Sequence, residues 1–319
     1  MLRLDAVTKI YKIGTFGGKA LRAVDGVSFD VGDGEVVSLI GESGSGKSTI
    51  GRMILRLISP SSGQIVFNGV DVSTLKGDAL KSYYRSVQGV FQDPFSSYNP
   101  IFKADRVFRT IREEFFPDVV DSEWNEKIDS SLKAVGLNPV HVLNKYPHQL
   151  SGGQLQRFLI ARALLLDVEF LVADEIISML DASTRIDVLN LLVGLKARGL
   201  SVLFITHDLS LGYYISERAA ILYQGCIVEM GSTDKIYYNP LHPYTKMLMA
   251  SVPRLDMKWE EEGVSPAAAL TARQSDLDRG CVYHERCSLA SKCAACAQTR
   301  PTLAEIEPDH SVACHCAAG

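Results

Sequence analysis

The segment EVVSLIGESGSGKSTIGRMILRL, residues 35–57, restricts the fold of this chain more than any other. Glu35 to Ile40 reads as a short buried strand, Gly41 to Thr49 fits G-x-x-x-x-G-K-[ST], and a helical stretch follows. Such a loop works between a strand and a helix. Its glycines let backbone N–H groups converge on phosphate oxygens, and the helix N-terminus adds a favourable dipole. The candidate cradle is Gly41, Ser43, Gly44, Ser45, Gly46, Lys47, Ser48 and Thr49. Lys47 is expected to reach the β- and γ-phosphates and the Ser48 hydroxyl to ligate Mg²⁺. A glycine-rich turn matching by chance would not carry the flanking strand and helix, so nucleotide binding is expected.

Far downstream, the apolar run VEFLVADE ends in Asp174 and Glu175. A carboxylate at the carboxyl end of a buried strand can hold Mg²⁺, and a second beside it can orient or deprotonate an attacking water. Alone, the pair would mark only a strand meeting solvent. With a phosphate loop in the same chain it reads as catalytic, with Glu175 the base and Asp174 on the metal.

Between these segments lies HQLSGGQLQR, followed by a helical stretch. Ser151, Gly152, Gly153 and Gln154 expose N–H groups at a helix start, an anion site with no nucleotide of its own. Leu150 to Gln154 matches the signature of the ATP-binding cassette (ABC) family, and the chain resembles that family over about residues 1 to 250. The resemblance implies that two such domains pair head to tail, each signature covering ATP held by the other's phosphate loop. It also assigns Gln92, in VFQDP, to the glutamine that contacts Mg²⁺ and water. His207, in FITHDL, becomes the switch histidine, and Asp181, in SMLD, the link between the two sites. Tyr11 is the aromatic that stacks on adenine, with Phe16 as a competitor. Two positions depart from the family pattern: Ile176 stands where a proline follows the glutamate, and Met179 replaces the alanine of the SALD loop. Neither removes a reacting group, so activity is expected to survive.

Strand-like and helical segments alternate, which predicts an α/β fold: a mostly parallel sheet with helices on both faces. GQIVFNGVDV reads as part of a small antiparallel β-subdomain, and about 93–160 as an inserted helical subdomain, including an amphipathic DSEWNEKIDSSLKAVGL. From about 255 the composition shifts, through RLDMKWEEEGVSPAAALTARQSD, to a linker with a possible short helix. The expected organisation is thus an ATP-binding domain over 1–250 and a cysteine-rich carboxy-terminal extension over 251–319.

The 33 basic and 37 acidic residues leave a net charge of −4, no electrostatic case for nucleic acid. The amino terminus, MLRLDAVTKIYKIG, has no apolar h-region, and no stretch is apolar and long enough for a membrane span, so a soluble chain is expected. DPFSSYNP and PLHPYTKMLMASVP resemble the ATPases of oligopeptide/dipeptide-type importers, a branch that also serves oligosaccharides and nickel. Peptides and oligosaccharides are equally compatible with the sequence. That branch implies a second ABC ATPase subunit, identical or related, two integral membrane permease subunits and an extracytoplasmic substrate-binding protein. It places the chain peripherally at the cytoplasmic face of a bacterial or archaeal membrane. The alternative is a soluble ABC ATPase acting on nucleic acid or ribosomes.

The chain has seven cysteines, and six crowd its end with spacing C-x5-C-x5-C-x2-C-x17-C-x-C from Cys281. In a reducing compartment, metal ligation is expected over disulfides. Only Cys293 and Cys296 make a CxxC pair, so paired zinc-ribbon spacing is absent, and irregular thiols suit an iron–sulfur cluster. The importer resemblance points to a [4Fe–4S] cluster on Cys281, Cys287 and Cys314 with one of Cys293 or Cys296. Zinc is the runner-up because His284, His310 and His315 lie among the thiols, and free thiols remain the bland alternative. Cys316 is expected to be spare, and Cys226 a small packed hydrophobe.

Overall fold

A computed structural model of the chain describes residues 1–13, 19–251 and 280–317. The stretch read as a linker and Phe16 lie outside those residues.

Two sheets are present among the described residues, one of four strands and one of eight. The smaller is antiparallel, in the order β2 (Lys19–Val31), β1 (Leu2–Ile13), β4 (Ser62–Phe67), β5 (Val70–Asp71). The larger begins with β3 (Val36–Ile40), which is followed by α1 (Lys47–Ile54). Beyond β5 come α2 (Gly77–Ser86), β6 (Val87–Val90), and the helices α3 (Arg106–Phe115), α4 (Asp121–Ala134), α5 (Pro139–Val142) and α6 (Gly152–Leu164). The chain then alternates through β7 (Phe170–Asp174), α7 (Ala182–Lys196), β8 (Ser201–Thr206), α8 (Leu209–Ile215), β9 (Arg218–Tyr223) and β10 (Cys226–Ser232). It closes with α9 (Thr233–Tyr238), α10 (Pro243–Ala250), β11 (Ala304–Glu307) and β12 (His310–Val312).

In the large sheet β9, β3, β8, β7 and β6 run parallel, and β10, β12 and β11 add an antiparallel edge. Every residue of β3, β7 and β8 is buried, as expected of parallel strands covered on both faces. The outermost strand, AEIE, is exposed throughout, and its glutamates protect a sheet edge from pairing with other chains.

Two cores flank the sheet. On one face α1 and the antiparallel sheet pack through Ile50, Met53, Leu4 and Ile65 onto Leu39, Val172 and Ile205. On the other the helices contribute Phe158, Leu159, Leu189 and Trp124. The amphipathic stretch predicted around residue 125 is α4. It ends in a left-handed Gly136, whose N–H donates to the Lys133 carbonyl while that of Leu137 donates to Leu132. That paired pattern satisfies two terminal carbonyls and needs a residue without a Cβ penalty at the cap.

Residues 280–317 pack onto the rest of the described chain. β12 pairs with β10, and Tyr283, Cys281 and Cys287 pack against Tyr244, Tyr223 and Val228. The strands that carry the phosphate loop and the carboxylates leave all their loops at the carboxyl edge of the parallel sheet, where ligands of such sheets bind.

Candidate nucleotide site and thiol cluster

The phosphate loop owes its path to two glycines. A Cβ on Gly41 would lie 2.2 Å from the Leu222 carbonyl oxygen, and one on Gly46 2.3 Å from that of Ala23. Gly46 also takes a φ of 107° as it caps α1. Lys47 is buried, and its Nζ donates to the carbonyl oxygens of Gly41 at 2.7 Å and Glu42 at 2.9 Å. Burial lowers its pKa, against the opposing fields of Glu175, Asp174 and Glu42. Ser45 Oγ is buried without a hydrogen-bond partner. An orphaned donor in this loop suits a phosphate oxygen.

β7 and β8 bring the carboxylates and the histidine to the loop. Ser48 Oγ donates to Asp174 Oδ1 at 3.1 Å, and burial raises the Asp174 pKa despite that bond. Glu175 adopts a φ of 50°, unusual for a non-glycine, while its N–H donates to the Ile205 carbonyl at 3.0 Å. Backbone strain of this kind persists where the surroundings impose it. The imposed turn sets Glu175 Oε1 3.5 Å from His207 Nδ1. Ile176 is buried in the helical core, so apolar packing anchors the position where the family has proline. Met179 is 61% exposed on the same loop.

A second group forms around the start of α6. Ser151 and Gln154 make a capping box: Gln154 N–H donates to Ser151 Oγ at 3.2 Å, and Ser151 N–H to Gln154 Oε1 at 2.9 Å. A Cβ on Gly153 would lie 2.5 Å from Thr184 Cγ2. Thr184 is fixed in turn by Asp181, which caps α7 and accepts from the Thr184 N–H at 3.0 Å and hydroxyl at 2.8 Å. Hydrogen bonds from Ser183 and Thr184 hold the Asp181 carboxyl well below the usual range. The signature and the Asp181 loop thus touch through Thr184, beside a groove of about 350 Å³ that Ser151, Gln154 and Arg157 help to line.

The same helix reaches the base of the Gln92 loop. Gln156 Nε2 donates to the Phe91 carbonyl at 3.4 Å and the half-buried Arg162 to the Gly89 carbonyl at 3.0 Å. Gln92 itself is exposed just past β6. Lys47, Ser48, Asp174, Glu175 and His207 therefore form one group and Ser151 to Gln154 with Asp181 another, while the strand that leads to Gln92 is tied to the body of α6. Tyr11, half-buried on β1 with the Lys9 ammonium 5.3 Å from its ring centre, belongs to neither.

At the chain's end, Cys293, Cys296 and Cys316 have sulfurs within 4.8 Å of one another. Cys316, expected to be spare, thus belongs to the tightest thiol group among the described residues. Cys281 N–H donates to the Cys296 carbonyl at 2.8 Å; the Cys281 thiol lies within electrostatic reach of Cys287, Cys314 and Cys296, and that of Cys314 within reach of Cys287 and Cys293. Burial pushes the Cys281 and Cys314 thiols up and that of Cys296 to about 12.

Two of the histidines that favoured zinc are engaged elsewhere. His310 Nε2 lies 2.7 Å from Glu229 Oε1 with both side chains fully buried, and His315 Nε2 lies 3.0 Å from the Thr299 carbonyl. The donors that converge are sulfurs, which fits a thiolate-bound centre. Cys226 is buried away from them against the Arg300 guanidinium, its thiol pushed to about 11 by burial. Thr184, the Glu229–His310 pair and Glu42, which meets Arg286 across the fold, escaped the sequence reading. Each acts through a partner distant in the chain.

Comparison with known proteins agrees with this geometry. Residues 24–178 match the ABC transporter family, and residues 228–296 the oligopeptide/dipeptide transporter C-terminal region. The oligopeptide transport ATP-binding protein AppF of Bacillus subtilis is 42% identical, the alignment covering 99% of this chain and 97% of AppF. Its counterpart OppF of Salmonella typhimurium is 38% identical over 93% of this chain and 88% of OppF. Among solved structures, the dimeric post-hydrolysis state of the ATP-binding cassette MJ0796, bound to ADP and Pi, superposes with a TM-score of 0.65 at 30% identity. It covers 73% of this chain and 99% of MJ0796.

Proposed function

This chain belongs to the ATP-binding cassette transporter family, in its oligopeptide/dipeptide branch, and from that membership we propose that it hydrolyses ATP to drive oligopeptide import through a membrane transporter. Peptides take precedence over oligosaccharides because relatives matching nearly the whole chain are named for oligopeptide transport. The same relatives leave the nucleic-acid or ribosome reading without support. No helix among the described residues is long and apolar enough to cross a membrane. The reading calls for two permease subunits, a second ATPase subunit and an extracytoplasmic binding protein, with this chain on the cytoplasmic face.

The observation that carries the reading is the convergence of Lys47, Ser48, Asp174, Glu175 and His207 at one sheet edge. Lys47, already bonded to loop carbonyls, exchanges those partners for phosphate oxygens. Ser48 and Asp174, within one hydrogen bond of each other, would hold Mg²⁺, and the family resemblance assigns Gln92 to the same ion. When bound, the metal neutralises charge between the β- and γ-phosphates. Glu175 takes the proton of the attacking water, and His207 orients that carboxylate and the γ-phosphate. Ser151, Gly152, Gly153, Gln154 and Asp181 sit in a group of their own, as they must if they close over nucleotide held by a partner subunit. Tyr11, on β1, is the ring on which adenine would stack in this reading.

The six tail thiols are a metal site in this reading, with a [4Fe–4S] cluster on four of them and zinc as the runner-up. The inclusion of Cys316 in the tightest trio widens the ligand choice beyond Cys281, Cys287, Cys293, Cys296 and Cys314. Its role is to staple the extension.

The decisive experiment assembles the chain with its permeases and binding protein in vesicles and measures ATP hydrolysis with added solutes. Stimulation by oligopeptides and not by oligosaccharides is expected. Stimulation by sugars alone, or none by any solute in an intact complex, would overturn the substrate assignment.

A further inference from the structure

Glu42, the second residue of the phosphate loop, is gripped at both polar ends by residues far downstream. Its N–H donates to Tyr244 Oη at 2.9 Å. Its carboxylate receives a two-pronged bond from Arg286, Nη1 to Oε2 at 2.9 Å and Nη2 to Oε1 at 3.1 Å. The Glu42 carbonyl accepts from Lys47 Nζ at 2.9 Å and from the Ser45 N–H at 3.2 Å. One residue thus joins Arg286 to the lysine that meets the phosphates.

Arg286 is itself well placed. Its guanidinium lies 5.8 Å from the ring centres of both Tyr223 and Tyr283, and Nη2 is 3.5 Å from Met247 Sδ. Those rings pack against each other and against Tyr244, with centres 4.6–5.4 Å apart. Arginine suits such a site because its planar fork pairs with a carboxylate while its face stacks on aromatics. The residue rides on a tight turn in which His284 N–H donates to Cys281 O, Arg286 to Tyr283 O and Cys287 to His284 O. Whatever holds Cys281 and Cys287 also holds Arg286.

We propose that Arg286 is a positioning residue for ATP binding: by holding and neutralising the Glu42 carboxylate, the cysteine-rich turn sets the shape and charge of the phosphate loop. The proposal rests on ATP binding at Gly41–Thr49. Without Arg286, Glu42 presents an uncompensated negative charge beside the site that must admit a polyphosphate. The two side chains are 34% and 40% exposed, so solvent screening keeps the effect modest.

The test is titration of the full-length chain with a fluorescent ATP analogue at low salt. Arg286→Gln should weaken binding about three- to tenfold, with KM raised more than kcat is lowered in the assembled transporter. Arg286→Lys should lose less. Adding Glu42→Gln to Arg286→Gln should recover most of the loss, because the offending charge is gone. A merely structural arginine would not be rescued by altering its partner. Equal binding by Arg286→Gln and wild type, or a loss that Glu42→Gln leaves undiminished, overturns the proposal. Lys47→Ala belongs in the same titration: if it binds as wild type does, the phosphate-loop reading fails instead.

Discussion

At the residue scale, the candidate base is the most constrained group in the site. Glu175 holds a positive φ at the end of a fully buried strand, and Ile176, buried behind it, keeps the turn from relaxing. Glu175→Gln preserves shape and the backbone bond to Ile205 but cannot accept a proton. Nucleotide binding should persist while steady-state hydrolysis falls at least about 100-fold, as phosphate-release assays would record. Hydrolysis near the wild-type rate would remove Glu175 from its assigned role. His242 offers a different test. Burial lowers its pKa to about 4, and its Nδ1 accepts from the Tyr244 N–H, so the folded imidazole is neutral. Above about pH 6.5 both folded and unfolded chains hold the neutral ring. Between there and pH 4 the unfolded chain takes up a proton that the folded chain refuses, so stability drops with falling pH, by at most about 3 kcal/mol. His242→Asn keeps a capping acceptor and should flatten that slope in thermal melts. An unchanged slope would show that His242 is not the group responsible.

At the scale of elements, the contact between α6 and α7 carries the argument. Ser151 caps one helix and Asp181 the other, and the two ends meet where Gly153 leaves room for the Thr184 methyl. Thr184 cannot swing away because Asp181 holds its hydroxyl. Gly153→Ala should therefore push the helix starts apart, cost about 2 kcal/mol and lower hydrolysis. Thr184→Ser removes the methyl and keeps the hydroxyl, so the double variant should regain stability; if it stays as unstable as Gly153→Ala, the contact is not the cause. The SGGQ run announced a capped helix because a capping box is local chemistry. Its abutment on Thr184 was invisible, since nothing within α7 distinguishes that threonine from any other first-turn hydroxyl.

At the scale of the whole molecule, the tail is sewn to the ATPase core by β12, by the aromatic bed under Arg286 and by the wholly buried Glu229–His310 pair. Glu229 also accepts from the N–H groups of Leu241 and His242, which ties α10 to the same point. Removing one partner strands the other: His310→Ala should cost about 3 kcal/mol and expose the tail to protease before the core. Tail and core cleaved at equal rates would argue against the pair as the fastener. The order of phosphate loop, signature, paired carboxylates and histidine follows from the sequence alone, as does the buried parallel sheet. Phosphate chemistry demands particular residues at fixed local spacings, and buried strands demand unbroken apolar runs. Three things were decided only in three dimensions: which thiols converge, with Cys316 among them; that Thr184 joins the signature to Asp181; and that Arg286 meets Glu42 across 244 residues. Such contacts depend on how distant elements pack, and a side chain's own neighbours in the chain carry no record of them.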